Sequence, residues 1–89
     1  MPLVKVSRKS KIKDLIDHSL KALTEQRSAM ILGCDETISK AITVAEIIKR
    51  SHSHLKQETR VYRKDFRYQL ADGAVETVKK SCIEIKLID

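Results

Sequence analysis

Aromatic residues are almost missing from this 89-residue chain: Tyr62, Phe66 and Tyr68, with no tryptophan. That scarcity argues against a recognition platform that pairs aromatics on adjacent strands to stack bases. Glycine occurs only at Gly33 and Gly73, which removes any glycine-rich phosphate loop. Cysteine occurs twice, at Cys34 and Cys82, with no CxxC spacing. Both are expected to be small buried hydrophobes rather than a disulfide scaffold or a metal site. No apolar run approaches the roughly 20 residues that a membrane-spanning helix needs, and Met1–Lys5 carries no signal-peptide core. The expectation is a soluble, intracellular protein, nuclear or cytoplasmic.

Catalytic groupings are equally thin. His52 and His54 stand two apart without neighbouring cysteine or carboxylate partners, and Asp14, Asp17 and Glu25 have the spacing of helix-surface carboxylates. No catalytic residue, metal ligand, cofactor or small-molecule substrate is assigned, and the reading is of a protein that is not an enzyme.

What the chain has is positive charge: 18 Lys and Arg against 12 Asp and Glu, a formal net charge of +6. That balance calls for an acidic partner. Arg8, Lys9, Lys11 and Lys13, with Lys5 just before them, form one run free of acids. A second group is Arg60, Arg63, Lys64 and Arg67, answered by Lys79 and Lys80 further on. Two such groups favour nucleic acid over two merely solvated faces.

Periodicity supplies the frame. Leu3–Val6 reads as a strand. Ile12, Leu15, Ile16, Leu20 and Leu23 mark an amphipathic helix with Ser10 as its N-cap. The apolar run within Arg27–Leu32 reads as a buried strand that Gly33 breaks. A second helix, capped by Asp35 or Thr37, runs to about Ser51; Ile38, Ala41, Ile42, Ala45 and Ile48 form its stripe, and Val44 and Ile47 widen it past half the circumference. Lys40 in its first turn opposes the helix dipole; taken alone it reads as a solvated surface lysine, and beside the other cations it suits a visiting anion such as a phosphate. Leu55–Leu70 and Val75–Ile88 form a hairpin turning at Asp72-Gly73. The expected fold is one α+β domain over 1–89, a two-layer sandwich of order β-α-β-α-β-β: a four-stranded mixed sheet with both helices on one face.

Several of these residues resemble the Alba family of small basic nucleic-acid-binding proteins. Ile38-Ser39-Lys40-Ala41-Ile42 with Glu46-Ile47 is similar to its second-helix signature, Asp72-Gly73 to its hairpin tip and Ile83-Glu84-Ile85 to its last strand. Ser10-Lys11-Ile12-Lys13, Gly33-Cys34 and Gln57-x-Thr59-Arg60 resemble the larger Alba-type subunit of eukaryotic ribonuclease P and ribonuclease MRP, proteins of tRNA processing. The resemblance implies binding of structured or double-stranded RNA through phosphates and 2′-hydroxyls, with DNA coating as the alternative ligand and a purely protein-assembling role as the alternative class. It implies a homodimer, or a heterodimer with a second Alba-type subunit, formed through the second helix and the long strands. It places Lys9 at the acetylation-sensitive lysine of archaeal members, Lys40 on a nucleic-acid contact, and the Arg60–Lys80 hairpin as an arm that embraces a duplex. Cys34 and Glu36 stand where archaeal members carry arginines, so the central surface is less basic here.

Overall fold

The computed structural model describes residues 3–89. In chain order they form β1 (Leu3–Lys5), α1 (Ile12–Gln26), β2 (Ser28–Cys34), a 3₁₀ turn (Asp35–Thr37), α2 (Ile38–Ser51), β3 (Lys56–Gln69) and β4 (Val75–Ile88). The sheet order is β1-β2-β4-β3, with β1 parallel to β2 and the other pairs antiparallel. This is the expected four-stranded mixed sheet with two helices.

Alternation sorts each strand into two faces. Ala29, Ile31, Ile83, Ile85 and Leu87 are buried toward the helices. They meet Leu15 and Leu23 of α1 and Val44 and Ile48 of α2, and Val4, Val6 and Leu55 close the core. The opposite sheet face carries no helix. Ser19, which no apolar pattern marks, is also fully buried on α1; its hydroxyl donates to the Leu15 carbonyl at 2.7 Å, so it enters the core already satisfied.

Local expectations fail at five places, each for a tertiary reason. Gly33 does not break β2, which continues to Cys34. A Cβ at Gly33 would lie 2.7 Å from the Thr37 carbonyl oxygen and 2.9 Å from the Ala41 Cβ, so glycine here admits the start of α2 against the strand. Ser10 is not the cap of α1. Lys11 takes that position, while the Ser10 hydroxyl accepts from the Ser7 N–H at 3.0 Å and closes a turn. Thr37 holds the N-cap position of α2, one of the two expected, but makes no side-chain cap bond, and Asp35 lies outside that position. Asp35 accepts from the Ser81 N–H at 3.0 Å, tying the turn to β4, and the Thr37 hydroxyl exchanges bonds with the Cys34 backbone. Cys34 and Cys82, expected to be separate thiols, are register partners across β2 and β4 and are joined as a disulfide. Their distance along the sequence conceals this. Finally, α2 does not bury more than half its surface: Ala41, Val44, Ala45 and Ile48 are buried, but Ile42 is exposed.

The hairpin tip agrees with its turn signal. Gly73 has φ +87°, its N–H donates to the Leu70 carbonyl at 3.0 Å, and the Leu70 N–H donates to Ala74 at 2.7 Å. The result is a three-residue loop with glycine in the left-handed position, the conformation that glycine adopts without strain.

Candidate nucleic-acid interface

The pairing of β4 with β2 stops at Cys82. Outward from there β4 pairs with β3 alone, from Arg63↔Ser81 to Gln69↔Val75. These seven register pairs make a two-stranded arm about 20 Å long. The arm leaves the sheet at the end where β2 terminates. Because β1 runs parallel to β2, the loop from Ser7 to Lys11 leaves at that same end. The first strand lies two strand spacings from β4 and three from β3, about 10 and 14 Å. The two cationic groups, far apart in sequence, thus share one end of the sheet.

In the loop and the first turn of α1 the cations differ. Lys9, Lys11 and Lys13 are exposed. Arg8 is engaged by Glu36, with Nε 3.0 Å from the carboxylate, in a solvent-facing ion pair that contributes little to stability. The first-turn amides of α1 have no side-chain cap, so the lysines surround an uncapped helix N-terminus. Lys40 has a different arrangement from that expected. Its ammonium donates to the carbonyls of Ser7 (3.3 Å), Arg8 (3.0 Å) and Ser10 (2.8 Å), using all three of its hydrogens. An internal set of dipoles, rather than a visiting anion, satisfies it, and it fastens the loop to the start of α2.

The arm's cations divide by alternation. Arg63, Arg67 and Lys79 lie on the side of the ribbon that continues the helix-covered face; Arg60, Lys64 and Lys80 lie on the open side. Among the described residues Arg63, Arg67 and Lys79 take part in no ion pair, whereas Arg60 is 3.0 Å from Glu84. Glu84 also accepts from the Tyr62 hydroxyl at 2.9 Å, and this bond, with burial, pushes the phenol above the ordinary tyrosine value. The Tyr68 oxygen raises Lys80 above the usual lysine value. None of this division is readable from composition; it needs the register.

His52 is half-buried beside the Ile48 carbonyl, and the His54 Nε2 lies 3.4 Å from the Asp89 carboxylate, at the opposite end of the sheet from the loop.

A basic loop and a basic ribbon at one end of a helix-backed sheet define a class of small α+β domains suited to polyanions. The Alba family model matches residues 3–63, and the chain belongs to the Alba family, whose proteins bind nucleic acids, commonly form dimers and are generally non-enzymatic. The fold is also that of solved structures. Alba from Thermoplasma volcanium is 24% identical, with a TM-score of 0.72, covering 98% of this chain and 99% of that one. ALBA1 from Trypanosoma brucei is 16% identical, with a TM-score of 0.64, covering 98% and 68%. A search of curated proteins finds no significant match.

Proposed function

We propose that this chain binds structured or double-stranded RNA as a dimer, of the kind found as Alba-type subunits of ribonuclease P and MRP, and holds the backbone rather than reading bases. The observation that carries the reading is the shared exit of loop and arm at one end of the sheet. Lys9 and Lys11 from the loop, Lys13 from the first turn of α1, and Arg63, Arg67 and Lys79 from the arm are the contacting cations. Arg8 adds charge discounted by Glu36. Lys40 acts as a positioning residue that presents the loop. Arg60, Lys64 and Lys80 face away from this grip.

Dimer formation uses the apolar surface that one protomer leaves uncovered. Ile42 on α2 is 37% exposed and Val61 on the helix-side face of β3 is 68% exposed. Two copies joined there carry 2 × (+6) = +12 and set two loops and two arms toward one ligand.

The test is a salt titration of the purified chain with a short RNA duplex and its DNA counterpart. Six phosphate contacts give a log–log slope of about −5, roughly a thousand-fold loss of affinity between about 50 and 200 mM salt. A flat response refutes the grip. Tighter binding to the RNA supports 2′-hydroxyl contacts; tighter binding to the DNA favours a DNA-coating protein. No binding to either at about 10 µM and low salt favours an assembly subunit.

A further inference from the structure

All three aromatic rings of the chain stand on the helix-free face of the sheet. Tyr62, Phe66 and Tyr68 occupy even positions of β3, with Lys64 between the first two. Across the register, Lys64 faces Lys80 directly. Two like charges opposite one another on one face destabilise a strand pair, and the aromatic rings answer this only in part. Lys64 and Lys80 sit 5.7 and 5.0 Å from the Phe66 centroid, and Lys80 also lies 5.6 Å from that of Tyr68. Beside this row runs a groove of about 510 Å³, floored by Met30, Leu32, Tyr62 and Phe66 and bordered by Lys5 and Lys80. Its size is in the range of ligand sites.

From this juxtaposition we infer a second binding site, for unpaired nucleotides of single-stranded nucleic acid, whose bases stack on Phe66 and Tyr68 while Lys5, Lys64 and Lys80 hold the phosphates. The spacing selects the ligand. Phe66 and Tyr68 are two residues apart on one strand, about 7 Å, or twice the 3.4 Å rise of stacked bases. Stacked neighbours in a duplex do not fit such a row. Bases splayed out of the stack do, and aromatic stacking accepts any of them. The charge selects it as well. A second copy docked face to face would bring three more lysines against Lys5, Lys64 and Lys80, while the one carboxylate in the groove, Glu84, is already engaged by Arg60 and Tyr62. Glu76 lies opposite Tyr68 on the same face, but no carboxylate forms an ion pair with Lys64 or Lys80 among the described residues, and nucleotides bring both ring faces and phosphates to them.

The site is distinct from the duplex grip, which uses the other face of the arm, so the two are separable by experiment. The full chain is titrated with a labelled oligouridylate of about twelve nucleotides and, in parallel, with the short RNA duplex. Three proteins are compared: wild type, Phe66→Leu, which keeps an apolar cross-strand contact but no ring, and Phe66→Tyr, which keeps the ring. The expected result is about a ten-fold loss of oligouridylate affinity for Phe66→Leu, retention within two-fold (roughly) for Phe66→Tyr, and duplex affinity within roughly three-fold of wild type in both, since the leucine keeps the cross-strand contact with Val78 and only the cation–π support of the arm is lost. Binding of the oligouridylate should also quench tyrosine fluorescence. Equal oligouridylate affinity for wild type and Phe66→Leu overturns the inference. So do parallel losses on both ligands, which would mean that arm charge or arm order accounts for everything. Concentration-dependent self-association of the wild type that Phe66→Leu abolishes overturns it in favour of a second copy. Failure of duplex binding with intact, ring-dependent oligouridylate binding would sink the duplex reading and leave this one standing.

Discussion

Replacing Lys40 with methionine separates a lysine that contacts phosphate from one that presents a loop. The change keeps the unbranched apolar stem as far as Cε and removes the ammonium with its three charge-assisted bonds to the carbonyls of Ser7, Arg8 and Ser10. Bonds to charged groups contribute about 1.5–3 kcal/mol each when buried. Ser7 and Arg8 are exposed, so their carbonyls rehydrate; Ser10 is half-buried and loses most. A net loosening of about 2 kcal/mol follows, confined to the loop. If the ordered loop is the binding-competent form, duplex affinity falls with the ordered fraction, by thirty-fold at the most (about 2 kcal/mol) and by less the more order the loop keeps. The salt slope, however, counts phosphate contacts, and Lys40→Met removes none of them. It should stay near −5, whereas Lys9→Met should make it shallower by about 0.9. Hydrogen exchange at residues 7–11 should accelerate in Lys40→Met and stay unchanged in Lys9→Met. The reasoning is refuted if Lys40→Met flattens the slope by about one while exchange in the loop stays as in the wild type.

Other perturbations test the remaining parts of the structure. Gly33→Ala forces a methyl group against the Thr37 carbonyl and Ala41, and should cost about 1–3 kcal/mol, visible as a drop of several degrees in Tm; an unchanged Tm would mean that α2 has room to retreat. Ile42→Glu and Val61→Glu should convert the proposed dimer to a monomer in sedimentation, with the monomer's own stability changed by less than about 0.5 kcal/mol, because both side chains are exposed within one protomer; a wild type that already sediments as a monomer refutes the proposed dimer. Glu84→Gln removes the carboxylate that raises the Tyr62 phenol. Phenolate absorbance should then appear at lower pH than in the wild type; an unmoved titration would show that Glu84 is not the cause. Gly73→Ala places a side chain at φ +87°, costing about 1–2 kcal/mol, read as faster exchange at the arm tip with the core unaffected.

Periodic signals carried most of the fold. Ile83, Ile85 and Leu87 alternate with Cys82, Glu84 and Lys86, and the structure buries the first set toward the helices. Leu15 and Leu23 fall on the buried face of α1 as their spacing predicts. What local pattern could not reach were contacts between residues remote in sequence. Lys40 reads as an anomaly at a helix start until the loop some thirty residues earlier is seen to deliver three carbonyls to it. Gly33 reads as a breaker because its reason, Ala41, lies on the next element. The disulfide of Cys34 and Cys82 is a fact of register, not of spacing. Ile42 belongs to an apolar stripe whose cover the single chain does not contain, so a correct periodicity produced a wrong burial. In the interface the two basic groups were visible at once, but the division of the arm into two faces was not, because it depends on which residue of β3 opposes which of β4.

That division also explains where the few aromatics went. A two-stranded ribbon standing free of its sheet is marginal in water, since it has no second layer to pack against. From Ser81 outward this arm has only its own two faces. On one of them Phe66 opposes Val78, and the lysines beside it lie against the rings of Phe66 and Tyr68. Cross-strand aromatic and aliphatic pairs stabilise such a ribbon by roughly 0.2–1 kcal/mol each, and cation–π contacts at exposed sites add about 0.5–1. The other face, with Arg63, Arg67 and Lys79, has no such packing; Asp65, opposite Lys79, is its one carboxylate among the described residues of the arm and forms no ion pair, so the cations there meet phosphates at a modest discount. Concentrating the rings on one side therefore lets the arm hold its shape without covering its duplex-facing cations. It also leaves an aromatic surface under lysines whose charges repel, so a ligand that stacks on the rings and neutralises the lysines stiffens the arm as it binds. Occupancy of the open face should then favour the grip on the opposite face, through order in the ribbon that both share.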